Sequence, residues 1–441
     1  MQVKKMGIAV ALGLGLGLGL GLGLPAAQAT VIGTMTRAQP VTEARIDTLA
    51  ATERATWRDY LARSRALMER DKAALAAERK SGAAPAEEQA RLHGDSGMPL
   101  KQPPAWYASP EARHVADNIV SFQTPAGGWG KNVNRTGHLR RKGEHYAPID
   151  DDPSGGVILA AKGWNYVGTI DNDATTTELA FLARVVTAVP GAAGDAGNPY
   201  RKAFDRGVNY LLDAQYPNGG FPQVYPLQGG YHDAVTYNDN AFAQVADLLA
   251  AVAARQGDYA FVAPELAARA RAAHERAIRV LVASQIRVNG QLTGWCQQHD
   301  ALTLAPVGAR NFEPVALSSS ETSRLLTLLM RLPQPSPDIV AAIDAGAAWL
   351  KRVAVYDVAW TAKGENGRFL EARPGAGPMW ARMYDIGTMK PIFGDRDGTI
   401  HTDVNELSKE RRDGYGWYGT GPASALAAYA KWAEKRTAAS R

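Results

Sequence analysis

The chain has 441 residues, a formal net charge of +5 and a single cysteine, Cys296. That length allows a large core without covalent staples. The mild positive balance argues against a nucleic-acid partner and would suit an acidic polymer only where basic residues gather in a groove.

Residues 1–29 open with Lys4 and Lys5, continue as an apolar run from Ile8 to Leu24 and end on the small-x-small triplet Ala27-Gln28-Ala29. This is the pattern of a signal peptide cleaved before Thr30. It predicts an exported protein, secreted or periplasmic, with no membrane attachment after cleavage. No later segment is long and apolar enough to span a bilayer. An exported chain with one cysteine has no internal disulfide, so packing must carry its stability.

Residues 30–104 read as an N-terminal helical extension and linker. Thr42 to Lys80 has helical periodicity with strong charge, and Thr42 is a suitable N-cap. Ser81 to Pro104 is rich in Gly, Pro and Ala and reads as a loop. Residues 105–441 form the candidate catalytic domain. Three helical runs there end in glutamine (Gln123, Gln215, Gln285), and each leads into a loop with glycine and an aromatic residue: QTPAGGWGKN, QYPNGGFPQVYP and QIRVNGQLTGWCQQHD. This is an internal repeat. Glycine lets the chain leave a helix through a left-handed turn, and the aromatic residue can fold back on the helix end. Further helices begin near Thr175, Asp239 and Ser319. Alternating helices that send similar loops to one end suggest an α/α toroid, mainly helical, with long irregular loops. A few short strands are expected between Phe369 and Gly398.

Two stretches set acid and amide oxygens at the mouth of a helix: TIDNDATTTEL, with Asp171, Asn172 and Asp173, and TYNDNAF, with Asn238, Asp239 and Asn240. They could cap helices, or they could hold a hard cation, calcium first. The loops also carry Lys131, His232, Arg310, Arg382, Tyr384 and Arg396, with Trp129, Phe221, Trp295, Trp380 and Trp417 beside them. Aromatic faces with polar rims suit sugar rings, and guanidinium forks in Gly/Pro-rich loops suit repeated carboxylates. There is no G-x-S-x-G nucleophile motif and no H-E-x-x-H zinc motif. Cys296 reads as a core residue. Asp171 and Asp239 could also serve as the acid and base of a glycoside hydrolase on the same toroid, acting on a uronic-acid-containing polysaccharide. A non-catalytic sugar-binding protein is a third possibility.

Eight motifs in order, from GGWGKN through TIDNDATTTEL, NGGFPQVYP, GGYHDAVTYNDNAF, GWCQQHDALTLAPVGARNFEP, LSSSETS and WARMYDIGTMKPIFGDRDG to GYGWYGTGP, resemble those of the family-ten pectate lyases. They span about Phe122 to Pro422. The resemblance implies an incomplete (α/α)3 toroid and calcium-dependent β-elimination on polygalacturonate by a polysaccharide lyase. It implies that Asp171, Asn172 and Asp239 hold Ca2+, that Arg310 is the catalytic base, and that Arg382 and Arg396 hold substrate carboxylates with Lys131 close by. His232, Trp295 and Tyr384 complete the candidate substrate-binding set. Free arginine is almost always protonated. An alternative therefore leaves Arg310 to stabilise charge and gives the proton to Lys131 or to a hydroxide on calcium. The chain departs from the family pattern at Gly130 and Asp173. The expected partner is pectate, met by a monomer.

Overall fold

The inner helices of this chain are apolar on nearly every side, and that dictates a layered arrangement. The computed structural model describes residues 30–80, 97–148 and 164–439. The signal-peptide expectation, and residues 81–96 of the linker, lie outside these residues. A short helix α1 (Glu43–Ile46) is capped by the Thr42 hydroxyl, which accepts from Arg45 N at 3.3 Å. The long helix α2 (Ala51–Lys80) follows. The repeat then runs through α3 (Pro110–Ser121), α4 (Thr176–Ala188), α5 (Pro199–Ala214), α6 (Ala241–Ala254), α7 (Pro264–Ala283), α8 (Ser319–Met330) and α9 (Pro337–Arg352). A short α10 (Lys409–Gly414) precedes the last helix, α11 (Gly421–Ala439).

Helix α4 packs on α5, α6 on α7 and α8 on α9, while α4, α6 and α8 also touch in sequence. The three pairs make an inner and an outer layer, an α/α toroid as the repeat suggested. Helix α6 buries Phe242, Val245, Leu249 and Val252 among others, because it faces protein on most sides. The N-termini of α4, α6 and α8 follow the polar turns, so those turns collect at one end. Strands are two to four residues long, and four fall between Leu370 and Gly394 as expected, with Thr399–His401 just beyond the expected segment. Helix α3, against α4 and α5, and helix α11, against α8 and α9, complete the layers. Among the described residues no helix is long and apolar enough to cross a membrane.

The glutamine repeat is a latch between successive outer helices. Gln123 Nε2 donates to Gly127 O in its own turn and to Ala203 O in α5, both at 2.8 Å. Gln215 does the same with Gly219 O and with Ala273 O in α7. Gln285 reaches Thr293 O and Ala342 O in α9. Each amide thus satisfies backbone carbonyls that would otherwise be buried without partners. Gly127 (φ 107°) and Gly219 (φ 102°) are required, since a Cβ would lie 2.7 Å from Arg206 O and 2.4 Å from Arg276 O respectively.

The aromatic residues after these loops correct one expectation. Trp129, Phe221, Trp295, Trp380 and Trp417 are all fully buried. The indole N–H of Trp129 returns to Ile119 O in α3, that of Trp295 to Leu281 O in α7 and that of Trp380 to Leu350 O in α9. They weld each loop to the helix it leaves and offer no face to a sugar. Trp295 is therefore a core residue, not a substrate contact. Trp295→Ala should cost about 3–5 kcal/mol of stability and leave KM of the folded fraction unchanged. Denaturant unfolding alongside kinetics checks this, and a raised KM at unchanged stability would return Trp295 to the substrate surface.

Candidate active site

The two acid–amide turns meet at the end of the toroid where the inner helices begin. Asp171–Asp173 forms one turn of 3-10 helix before α4, and Asn238–Asn240 forms the matching turn before α6; the two are in contact. The middle residue of each is left-handed: Asn172 at φ 50°, ψ 46° and Asp239 at φ 49°, ψ 30°. Asn and Asp tolerate that conformation better than most residues. Neither following helix receives a side-chain cap from its N-cap residue. The side-chain oxygens of Asp171, Asp173, Asn238 and Asp239 are engaged elsewhere, so these residues do not serve as helix caps.

Asp171 is buried, and its Oδ2 accepts from Lys131 Nζ at 2.9 Å. Burial pushes its carboxyl up, but Lys131, Gln223 and Arg310 outweigh that and hold it below the usual range. Asn172 Nδ2 donates to Asn132 Oδ1 at 3.3 Å. Asp239 Oδ2 accepts from Asn238 Nδ2 at 2.9 Å, and its Oδ1 lies 3.6 Å from Arg382. Burial raises the Asp239 carboxyl, with Glu321 and Asp171 adding to it against Arg382 and Arg324. Asp173, the departure from the family pattern, accepts a hydrogen bond from Gln244 and ties the first turn to the start of α6. Two carboxylates and an amide, all hard oxygen donors, fit a calcium ion better than a soft metal. Among the described residues no third His, Cys, Asp or Glu joins them as a metal cluster. The remaining ligands would have to be substrate and water. A pocket of about 180 Å³ beside the first turn is lined by Lys131, Asn132, Asn172 and Asp173, among others.

A band of cations faces these turns. Arg310 forks onto Glu313, with Nε to Oε2 at 2.8 Å and Nη2 to Oε1 at 2.5 Å, while its backbone N–H donates to the same carboxylate at 3.1 Å. Glu313 is almost fully buried and also accepts from Gln297 and from the Tyr415 hydroxyl. Burial raises its carboxyl, but Arg310 and Gln297 prevail and bring it down to about 2. For Arg310 burial favours the neutral form, yet Glu313 overrides it and strengthens the cation. Arg382 binds Glu321 Oε1 at 2.9 Å and Asn238 Oδ1 at 3.0 Å, 4.8 Å above the Tyr415 ring. Arg396 lies 5.2 Å from the Phe312 ring centre, on which Arg310 and Arg411 also stack, and pairs with Glu410 at 3.2 Å. Phe312 and Tyr415 thus hold four guanidinium groups at fixed orientations, through cation–π contacts.

Two further assignments need correction. His232 is 1% exposed; its Nε2 meets the Tyr166 hydroxyl at 3.1 Å, and the ring lies against Tyr231. Burial pushes it down to about 3, with Lys131 and Arg310 acting in the same sense against Asp171. It is a neutral support beneath the site: Tyr166 in turn carries Lys131, whose Nζ lies 3.4 Å from its ring centre. Tyr384 is also buried, donating to Val353 O and accepting from Ala381 N. Its strand, Met383–Tyr384, pairs with Leu317–Ser318 and so fixes the backbone next to Arg382. Sequence reasoning did not assign roles to Glu313, Glu321, Tyr166 and Tyr415. The i,i+3 spacing of Arg310 and Glu313 was the one visible signal; Tyr166 had none.

Arg310, Lys131, Asp171, Asp239, Arg382 and Arg396 therefore form one cluster, while His232, Trp295 and Tyr384 stand behind it. A family profile described as pectic acid lyase matches residues 123–426. A solved family 10 polysaccharide lyase from Cellvibrio cellulosa is 31% identical, with a TM-score of 0.62 over 78% of this chain and 99% of its own. A mutant of a family 10 polysaccharide lyase from the same organism, in complex with trigalacturonic acid, is likewise 31% identical, with a TM-score of 0.62 over 76% of this chain and 97% of its own. A search of curated proteins finds no significant match. With its toroid, its paired acid–amide turns and its arginine band on the page, the chain belongs to the pectic acid lyase family and is a polysaccharide lyase.

Proposed function

We propose that the protein cleaves α-1,4-linked polygalacturonate by calcium-dependent β-elimination and releases 4,5-unsaturated oligogalacturonates. The observation that carries this reading is the band Arg310–Arg382–Arg396 with Lys131, set against a pair of turns rich in hard oxygens. Several cations at fixed spacing match a chain with one carboxylate per sugar. The trigalacturonic acid bound by the Cellvibrio cellulosa mutant lends support. Membership among the lyases sets aside the hydrolase alternative. Asp171, held below the usual carboxylate range by Lys131, would also be a poor proton donor to a leaving group.

In the reaction a base removes the proton on C5, the electron pair forms the C4–C5 double bond, and the C4–oxygen bond breaks. The departing oxygen takes a proton from solvent. Arg382 and Arg396 would hold the uronate carboxylates, and preorganised cations of this kind lower the cost of the charge that develops. Asp171, Asn172 and Asp239 would hold calcium; when bound it would withdraw charge from the carboxylate next to the reacting C–H. Arg310 is the proton acceptor. Glu313 keeps it cationic in the free enzyme, so the competent neutral form is a minority whose share grows as pH rises. The rate should then climb about tenfold per pH unit on the alkaline side of neutrality. A pH–rate profile flat from neutrality upward would mean that the acceptor is a group already deprotonated.

Incubation of the protein with polygalacturonate and calcium, followed by ultraviolet absorbance, tests the function. Growth of the absorbance of a C4–C5 double bond is expected, with fully esterified pectin a poor substrate. Chain cleavage without that absorbance, or equal rates on both polymers, would overturn the reading.

A further inference from the structure

We propose that the amino group released at Thr30 by signal removal is an ion-pair anchor, and that it closes an N-terminal strap over the loops of the active site. This goes beyond the proposed chemistry and rests on the cleavage site before Thr30. The backbone nitrogen of Thr30 lies 3.0 and 2.9 Å from the two oxygens of Glu406. One amide hydrogen must be shared between them. Hydrolysis of the Ala29–Thr30 peptide bond by a peptidase, with water as co-reactant, leaves a carboxylate on Ala29 and an ammonium on Thr30. An ammonium has three hydrogens and a full charge to offer the same two oxygens. Glu406 is already held by His401 Nδ1 at 3.0 Å.

Residues 30–46 then touch the site loops in turn. Val31–Thr34 pairs antiparallel with Thr399–His401, which pairs with Phe393–Gly394, on either side of Arg396. Met35 N donates to Gly398 O at 2.8 Å. Met35 and Thr36 cross so close over Gly308 that a Cβ there would lie 2.5 Å from Met35 Cε and 2.8 Å from Thr36 O. Ala38 packs on Ala309 and Tyr231, beside Arg310 and His232. Val41 N donates to Asp233 Oδ2 at 3.0 Å, and Arg45 pairs with Asp300 at 2.6 Å. The family profile begins only at residue 123, so this strap belongs to the part of the chain outside it. A charged terminus pinned at Glu406 holds the first strand of the strap against the loop that carries Arg396.

The test compares the full mature chain starting at Thr30 with the same chain N-terminally acetylated, each with and without Glu406→Gln. Intact mass of the exported protein first establishes the terminus. Acetylation should lower Tm by roughly 1 °C and speed hydrogen exchange of residues 31–35. Glu406→Gln should cost more in the free-terminus chain than in the acetylated one, where the contact with His401 is the main loss. A terminus other than Thr30, equal Tm for free and acetylated chains, or a Glu406→Gln loss of the same size in both would each overturn the proposal. Tm and exchange are read without substrate, so failure here is distinct from failure of the lyase assay.

Discussion

Arg310→Ala is expected to lower kcat on polygalacturonate by about 10³-fold, within the range that loss of a positioned general base produces. Binding of oligogalacturonate should survive, because Lys131, Arg382 and Arg396 keep their own partners. The variant also leaves the buried Glu313 without its counterion; the cost falls below the roughly 3–5 kcal/mol of a fully buried pair, because Arg310 is itself 36% exposed and Gln297 and Tyr415 still donate to Glu313. Loss of activity alone would thus not separate chemistry from unfolding. Arg310→Ala with Glu313→Gln resolves this. An amide can still accept from Gln297 and Tyr415 and carries no stranded charge. Thermal unfolding should return toward that of the parent while turnover stays lost. Turnover near the parent rate in either folded variant would put the base elsewhere, with Lys131 the next candidate.

Much of the architecture was legible because glutamine and glycine have few reasons to recur together. The latches from Gln123, Gln215 and Gln285 to the next outer helix are what the repeat encodes. The direction of a side chain was not legible. A tryptophan beside lysine or histidine has the same sequence context whether it faces solvent or a helix, so Trp295 read as a sugar platform although its N–H closes onto α7. His232 and Tyr384 misled for the same reason: each is adjacent in sequence or space to a site cation and supports it from below. The acids that fix the arginines were hidden for a different reason. Glu321 meets Arg382 only after α8 and the Trp380–Tyr384 segment are brought together, and no local spacing reports such a contact.

Removal of calcium by excess chelator should abolish turnover, and added calcium should restore it. The electrostatics of the two turns lead to this. Asp239 is pushed up chiefly by burial, with Glu321 and Asp171 adding to it against Arg382 and Arg324. A divalent cation between the turns would offset the burial of that carboxylate, and it would compete with Lys131 for Asp171. Asp171→Ala and Asp239→Ala should each raise the calcium concentration that gives half-maximal rate. Binding should also be visible without substrate: a ligand at 100 times its Kd adds about 2.7 kcal/mol to the folded state, so Tm should rise with calcium in the parent and not in Asp239→Ala. Magnesium should substitute poorly, since it demands a tighter octahedral shell and gives up water reluctantly. Full activity in excess chelator would mean that the Lys131–Asp171 pair is a structural tie, and that the guanidinium groups alone acidify the sugar.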